Sequence, residues 1–184
     1  MDDLSEAVSN YRFCGNGDDL CAAVESYLSS QLDVVFTSQF GLSPALSDTV
    51  QVDGVTFTTI MNAFQAEKED MSQRYKYQHP VPVSTAVRLG RLAAIDVATW
   101  DASRVERMER IVSAYLDQHP TCMSFLVKSV LPIQEADLVD GFWGAKGPKG
   151  VSALNNYGKL LERIREKKCN ETKKRKMPPD EDED

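Results

Sequence analysis

The feature that most constrains the fold is a long amphipathic pattern between about residues 102 and 117. Its apolar residues recur three or four positions apart, so on a helix of 3.6 residues per turn they form a single stripe. The arginines and glutamates of the stretch lie mostly outside that stripe. A helix with one apolar stripe requires other elements to cover it, which predicts a packed, helix-rich core. The stripe consists of Val105, Met108, Ile111, Val112, Tyr115 and Leu116.

Weaker patterns predict the elements around this helix. The β-branched residues on either side of Asp53-Gly54 predict a short hairpin over about residues 50–57. The other predicted helices cover residues 18–32, 60–74 (capped by Thr58 or Thr59), 84–92, 121–130 and a last segment carrying Leu160, Leu161 and Ile164. A glycine-containing loop is expected between residues 137 and 156. Together these patterns predict an α+β fold, a mainly helical single domain with a small β element.

Composition predicts one such domain with an extension at each end. We expect an N-terminal helical extension over residues 1–35, the domain itself over 36–167, and a disordered basic and acidic tail over 168–184. The tail contains four consecutive basic residues, Lys173 to Lys176. Such a cluster is typical either of a nuclear-import signal or of a solubilising tail, and both interpretations stay open.

Charge and residue content exclude several classes of protein. The formal net charge of -7 argues against binding nucleic acid through a broadly basic surface, although a local basic pocket is compatible with it. No apolar run is long enough to cross a membrane, and the first residues are acidic, so we expect an intracellular protein without a membrane anchor, cytoplasmic or nuclear. The 4 cysteines form no C-x-x-C pair and there are only 2 histidines, so we expect neither a metal site nor a cofactor.

Three segments, in this order, resemble the NADAR family of N-glycosidases and ADP-ribose-handling proteins. Residues 52–59 (VDGVTFTT) leading to 64–68 (FQAEK) are similar to the family's V-D-G-x-x-[WF]-x-[TS]-x-E-H-x-F-Q-A-x-K. Residues 88–91 (RLGR) are similar to its [RK]-x-G-R. Residues 140–144 (DGFWG) and 155–161 (NNYGKLL), with Arg165, are similar to its D-x-[YF]-W-G and N-x-[LY]-G-x-[LM]-L elements. Each element alone is common, and it is their ordered combination that is specific.

The resemblance implies a pocket that handles a ribosylated nucleobase, with two departures from the family pattern. Met61 and Asn62 stand where the family has a Glu-His pair, and a thioether neither holds a proton at neutral pH nor stabilises a cationic sugar as a carboxylate does. Breaking a bond between a base and a ribose needs carboxylates near the sugar. Asp140, three residues before Trp143, is the best candidate, with Glu67 and Glu135 as reserves.

Lys68 is the second candidate for catalysis. Met61, Gln65 and Lys68 are four and three residues apart, so on a helix they share one side. A partly desolvated lysine near other cations can attack the C1 atom of a ribose, and the alternative is a phosphate ligand or a solvated residue. We therefore predict Lys68 and Asp140 as catalytic residues. The predicted substrate-binding residues are Gln65, Arg88, Arg91, Trp143, Gly144 and Asn155, where Asn155 could instead cap the last helix.

These residues leave three functions open. The favoured one is hydrolysis of an N-glycosidic bond in a ribosylated base, such as ADP-ribosylated guanine or a ribosylaminopyrimidine phosphate, free or attached to nucleic acid. The second is a catalytically impaired module that binds ADP-ribose or a nucleotide through the same pocket. The third is an interaction protein that uses its acidic surface.

Overall fold

The computed structural model describes residues 34–136, 138, 140–147 and 152–176. All of them belong to the compact unit that begins at Val34. The predicted helix over residues 18–32 lies outside the described residues, as do the last eight residues of the predicted tail. The first described strand, β1, begins at Val35 and pairs with β4.

The described elements are mostly helical, with two small β pairs. In chain order they are β1 (Val35–Phe36), a 3-10 helix (Thr37–Phe40), β2 (Val50–Val52), β3 (Val55–Phe57), α1 (Ile60–Ala66), a second 3-10 helix (Met71–Tyr77), α2 (Val83–Leu92), α3 (Val97–Gln118), α4 (Pro120–Lys128), β4 (Ile133–Gln134) and α5 (Asn156–Lys176). The expected fold class, α+β and mainly helical, is confirmed.

The hairpin predicted at Asp53-Gly54 is present. β2 pairs antiparallel with β3, with Val52 opposite Val55. Asp53 and Gly54 both have positive φ angles, 51° and 78°, as a tight two-residue hairpin turn requires. Glycine adopts this region without strain and aspartate tolerates it, which is why the dipeptide identified the turn correctly.

A parallel pair of two-residue strands, β1 and β4, joins segments that are almost 100 residues apart in the sequence. Val35 of β1 pairs with Ile133 of β4, and both side chains are buried. Neither two-residue strand was predicted, because a strand this short carries no alternation that sequence analysis could detect. β4 leads directly into the loop that carries Trp143, so this pair fixes where that loop starts.

The core forms around α3, as its apolar stripe predicted. Met108, Ile111, Val112, Tyr115 and Leu116 are all buried. The helix is longer than expected and begins at Val97, because the side chain of Asp96 caps it by accepting a hydrogen bond from the Thr99 N–H at 2.8 Å.

Two further boundaries differ from the predictions. The predicted helix over 60–74 is divided: α1, capped by Thr59, ends at Ala66, and the segment Met71–Tyr77 is a 3-10 helix. The predicted tail begins too early, because α5 continues to Lys176. Residues 168–176 are rich in strong helix formers, and the Cys169 thiol contacts the Val127 carbonyl oxygen of α4 at 3.8 Å. Lys173 to Lys176 therefore lie at the end of a helix.

Candidate functional site

Lys68 lies just beyond α1, between α2 and an aromatic side chain of α3. Its Nζ donates a hydrogen bond to the Gly90 carbonyl oxygen at 3.1 Å and lies 5.3 Å from the centroid of the Trp100 ring. Partial burial, and then the positive charge of Arg91, lower the pKa of the Lys68 amine below its ordinary value. The side chain is neither fully buried nor solvated, so it combines a restrained position with access to a ligand.

Four aromatic side chains join α1, α3 and the 140–147 loop. The Trp143 ring lies edge-on to the rings of Phe64 and Phe142, with distances between ring centroids of 5.4 Å and 4.8 Å. The Phe64 ring also contacts Trp100, at 5.1 Å between centroids. Trp143 is only 7% exposed. A tryptophan in a glycine-containing loop is not an ordinary core residue, but this loop folds down onto α1 and buries it. The indole itself fills the space between Phe64 of α1 and the loop.

Asp140 organises the loop that carries Trp143. Its Oδ1 accepts hydrogen bonds from the backbone N–H groups of Phe142 at 2.8 Å, Trp143 at 2.5 Å and Gly144 at 3.4 Å. This is the short-range turn that aspartate side chains commonly form with the backbone that follows them. One carboxylate oxygen of the predicted catalytic acid is thus engaged in holding the loop.

Gly144 is required by backbone packing. A Cβ atom there would lie 1.9 Å from the Leu138 carbonyl oxygen, closer than any side chain tolerates. Backbone packing alone therefore explains why glycine stands at this position of the motif. The predicted contact of Gly144 with substrate stays a prediction.

Met61 and Asn62, at the positions where the resemblance implies a Glu-His pair, are both buried. Met61 is 4% exposed, and its sulfur atom accepts a hydrogen bond from Gln65 Nε2 at 3.3 Å. Asn62 is fully buried and its Nδ2 donates to the carbonyl oxygens of Tyr77 at 3.3 Å and Val81 at 2.8 Å. Asn62 therefore has a structural role, connecting α1 to the segment that leads into α2.

Gln65 is a buried amide with poor partners. It is only 8% exposed, and it packs against Gly90 of α2. Its Oε1 has no hydrogen-bond partner among the described residues, and its Nε2 donates only to a thioether sulfur, which is a weak acceptor. A buried amide left this way is destabilising, by roughly 1–3 kcal/mol for an unpaired group.

Arg88 and Arg91 are both exposed on α2. Within the described part of the chain, neither forms an ion pair with a carboxylate. Only Arg91 acts on Lys68 electrostatically. The structure therefore brings Arg91 together with Lys68, and leaves Arg88 as a free cation one helical turn earlier.

The side chain of Asn155 forms hydrogen bonds with the backbone at β4, while its backbone carbonyl oxygen accepts from the Lys159 N–H at the start of α5. Its Oδ1 accepts from the Glu135 N–H at 3.1 Å, and its Nδ2 donates to the Ile133 carbonyl oxygen at 2.8 Å. These hydrogen bonds do not cap α5, and the predicted contact of Asn155 with substrate stays a prediction. The side chain instead completes the hydrogen bonding of β4, a long-range role that no local pattern reports.

The two reserve acids are also engaged. Glu67 is a buried carboxylate that pairs with Arg74 at 2.7 Å, Arg110 at 2.8 Å and Arg107 at 3.1 Å. These ion pairs draw its side chain toward α3 and the second 3-10 helix, which also explains why α1 is short.

Glu135 is fully buried and its role is also structural. It accepts hydrogen bonds from Thr37 Oγ1 at 2.5 Å and from the Leu138 N–H at 3.0 Å. It therefore connects β4 to the 3-10 helix after β1 and to the start of the Trp143 loop.

A separate cleft of about 600 Å³ lies beside α3. Its lining includes three acidic residues, Glu67, Glu106 and Glu109, and three basic ones, Arg107, Arg110 and Lys167. The predicted catalytic residues do not line it. Its balanced charge gives it no preference for a phosphate, so the Lys68 region is the better candidate site.

Two contributors to this region, Trp100 and the Gly90 carbonyl, are not among the residues predicted to bind substrate. Trp100 follows the R-L-G-R motif and meets Lys68 only through folding, and a backbone carbonyl leaves no signal in a sequence. Among the residues the structure describes, no group of three or more His, Cys, Asp or Glu side chains could hold a metal ion. No helix in that part of the chain is long and apolar enough to cross a membrane.

The comparisons with known proteins identify the fold. No protein-family model and no curated protein sequence matches the chain. Among solved structures, the chain is similar to the NMR structure of the E. coli protein YbiA, with a TM-score of 0.64 and 23% sequence identity. The match covers 80% of this chain and 90% of YbiA. The fold that the motifs implied is confirmed: the chain has a divergent NADAR-like fold, similar to that of YbiA.

Proposed function

We propose that the protein hydrolyses the N-glycosidic bond of a ribosylated nucleobase, such as ADP-ribosylated guanine or a ribosylaminopyrimidine phosphate. The observation that carries this proposal is the state of Lys68. Its amine is restrained by the Gly90 carbonyl oxygen, lies beside the Trp100 ring, and has a pKa lowered by burial and by Arg91. An amine in this state is a better nucleophile near neutral pH than an ordinary lysine.

The Lys68 amine supplies a route that does not need an acid at Met61. The unprotonated Nζ attacks C1 of the ribose, the bond from C1 to the base nitrogen breaks, and the base leaves with the proton that the amine gives up. The resulting ribosylamine opens to an imine. Water then adds to C1, the bond from C1 to Nζ breaks, and the lysine is restored. The net reaction consumes one water and yields the free base and the free sugar.

Neighbouring residues are suited to binding and orienting such a substrate. Arg91 and Arg88 are exposed guanidinium groups on one helix, and a guanidinium binds phosphate oxygens in a bidentate way. Trp100 offers an aromatic face, and a sugar or base stacks favourably on such a surface. In this proposal the role of Asp140 is indirect: it holds the loop and thereby sets the position of Trp143.

The direct test is turnover with a lysine-specific control. The purified chain is incubated with ADP-ribosylated guanine, and released ADP-ribose is measured by chromatography. We expect release by the natural protein and none by Lys68→Ala or by Lys68→Arg, which keeps the charge but cannot form an imine. Borohydride added during turnover should attach the sugar to Lys68, as identified by peptide mass spectrometry. Full turnover by Lys68→Arg, or a sugar adduct elsewhere, contradicts the proposed role.

A second candidate is a module that binds ADP-ribose without cleaving it. The observation that favours it is the burial of Met61 at the family's acidic position, together with the structural engagement of Asp140 and Glu67. Loss of one catalytic acid commonly lowers a rate by about a hundredfold to ten-thousandfold. Calorimetric titration with ADP-ribose distinguishes the two candidates: heat of binding without any release of product supports the module, and release supports the enzyme.

A further inference from the structure

α1 and α2 pack tightly against each other at Gly90. A Cβ atom on this residue would lie 2.0 Å from Gln65 Oε1 and 3.1 Å from Gln65 Cβ. Both distances are shorter than ordinary van der Waals contact, so a side chain on Gly90 would force either Gln65 to shift or α2 to move away from α1. Gln65 is itself only 8% exposed, so its side chain has little room to move aside.

The same residue holds the Lys68 amine. The Gly90 carbonyl oxygen accepts the hydrogen bond from Lys68 Nζ at 3.1 Å. The length of this bond depends on how closely α2 approaches the end of α1, and therefore on the missing side chain at Gly90. The Gln65 amide contributes through packing, because its Oε1 has no hydrogen-bond partner in the described part of the chain.

We propose that Gly90 is a positioning residue for Lys68: the absence of its side chain brings α2 against Gln65, and its carbonyl oxygen then fixes the lysine amine. This inference rests on the proposed function in that it explains how the nucleophile of that reaction is held. It concerns the position of one amine, however, and can be tested without any substrate.

The charges around Lys68 give the proposal a measurable consequence. Arg91 faces the amine from α2, and Arg107 of α3 shares the Trp100 ring at 5.8 Å from its centroid. The two acidic neighbours of Lys68 in the chain are already engaged. Glu67 forms ion pairs with arginines, and Glu69 Oε1 accepts a hydrogen bond from the Tyr77 hydroxyl. Moving α2 away reduces both the burial of the amine and the influence of Arg91, so the pKa of Lys68 rises toward its ordinary value.

The test is pulse labelling of lysines with acetic anhydride across the neutral to alkaline range, read by peptide mass spectrometry. The exposed Lys159 of α5 is the internal reference. In the natural protein, we expect the labelling of Lys68 to rise at lower pH than the labelling of Lys159. In Gly90→Ala, the pH at which Lys68 becomes labelled should increase. Alanine favours helices more than glycine does, so α2 itself should still form.

A double variant separates packing from a general disturbance. In Gly90→Ala with Gln65→Ala, the closest clashing atoms are gone, and the Lys68 profile should return toward that of the natural protein. An unchanged profile in Gly90→Ala overturns the proposal, and so does a shift that Gln65→Ala does not reverse.

A measurement on the natural protein covers the case in which Gly90→Ala does not fold. The ¹³C resonance of the Gly90 carbonyl should change with pH at the same midpoint as Lys68 labelling, because that oxygen accepts the amine's hydrogen bond. A Gly90 resonance that does not follow Lys68 overturns the proposal. None of these outcomes depends on turnover, so a failure here and a failure of the proposed N-glycosidase reaction can be told apart.

Discussion

Restoring a carboxylate at position 61 is the sharpest perturbation of this site. Met61 is 4% exposed and is one helical turn from Gln65, whose Nε2 already donates to the Met61 sulfur at 3.3 Å. A glutamate side chain here meets that amide donor, so part of the cost of burying a carboxylate is offset by a stronger hydrogen bond. We therefore expect Met61→Glu to fold with at most a modest loss of stability.

The structure argues against adding the family's histidine at the same time. Asn62 Nδ2 donates to the carbonyl oxygens of Tyr77 and Val81, and Asn62→His removes both bonds from a fully buried position. Leaving one buried polar group unpaired costs about 1–3 kcal/mol, so the double variant risks unfolding the site. Met61→Glu alone is the better design.

The expected gain is at least about tenfold in kcat/KM on ADP-ribosylated guanine, which corresponds to about 1.4 kcal/mol of transition-state stabilisation. The matched control is Met61→Gln, which has the same length and polarity but no negative charge. If Met61→Glu folds and binds ADP-ribose but is no faster than Met61→Gln, a carboxylate at this position does not assist the reaction. If the natural protein is already fast and Met61→Glu slows it, catalysis relies on other residues.

Three further outcomes are expected. In a Trp100→Phe background, the fluorescence of Trp143 should change when ADP-ribose binds; constant fluorescence, with binding confirmed by calorimetry, places Trp143 away from the ligand. A chain ending at Lys176 should have the thermal midpoint of the full chain, whereas one ending at residue 167 should melt at lower temperature because it loses the last turns of α5. Gly144→Ala should lower the free energy of unfolding by about 1–3 kcal/mol, because its Cβ atom would lie 1.9 Å from a backbone carbonyl oxygen; unchanged denaturant midpoints would show that the loop adapts.

Local chemistry in the sequence determined much of the fold. The apolar stripe of α3 predicted a buried helix because burial along a helix follows its 3.6-residue period. Asp53 and Gly54 predicted the hairpin because their positive φ angles suit few other residues. The ordered motifs implied the NADAR-like fold, which the similarity to YbiA confirms.

Contacts between distant segments were decided only by the tertiary structure. Helical spacing put Lys68 beside Gln65, but nothing local indicated that its amine would reach the Gly90 carbonyl or lie over Trp100. The same holds for Asn155, whose amide completes the hydrogen bonding of β4 instead of capping α5. A sequence reports the conformational preferences of neighbouring residues, whereas the partner of a buried polar group depends on which distant backbone atoms folding brings within about 3 Å of it.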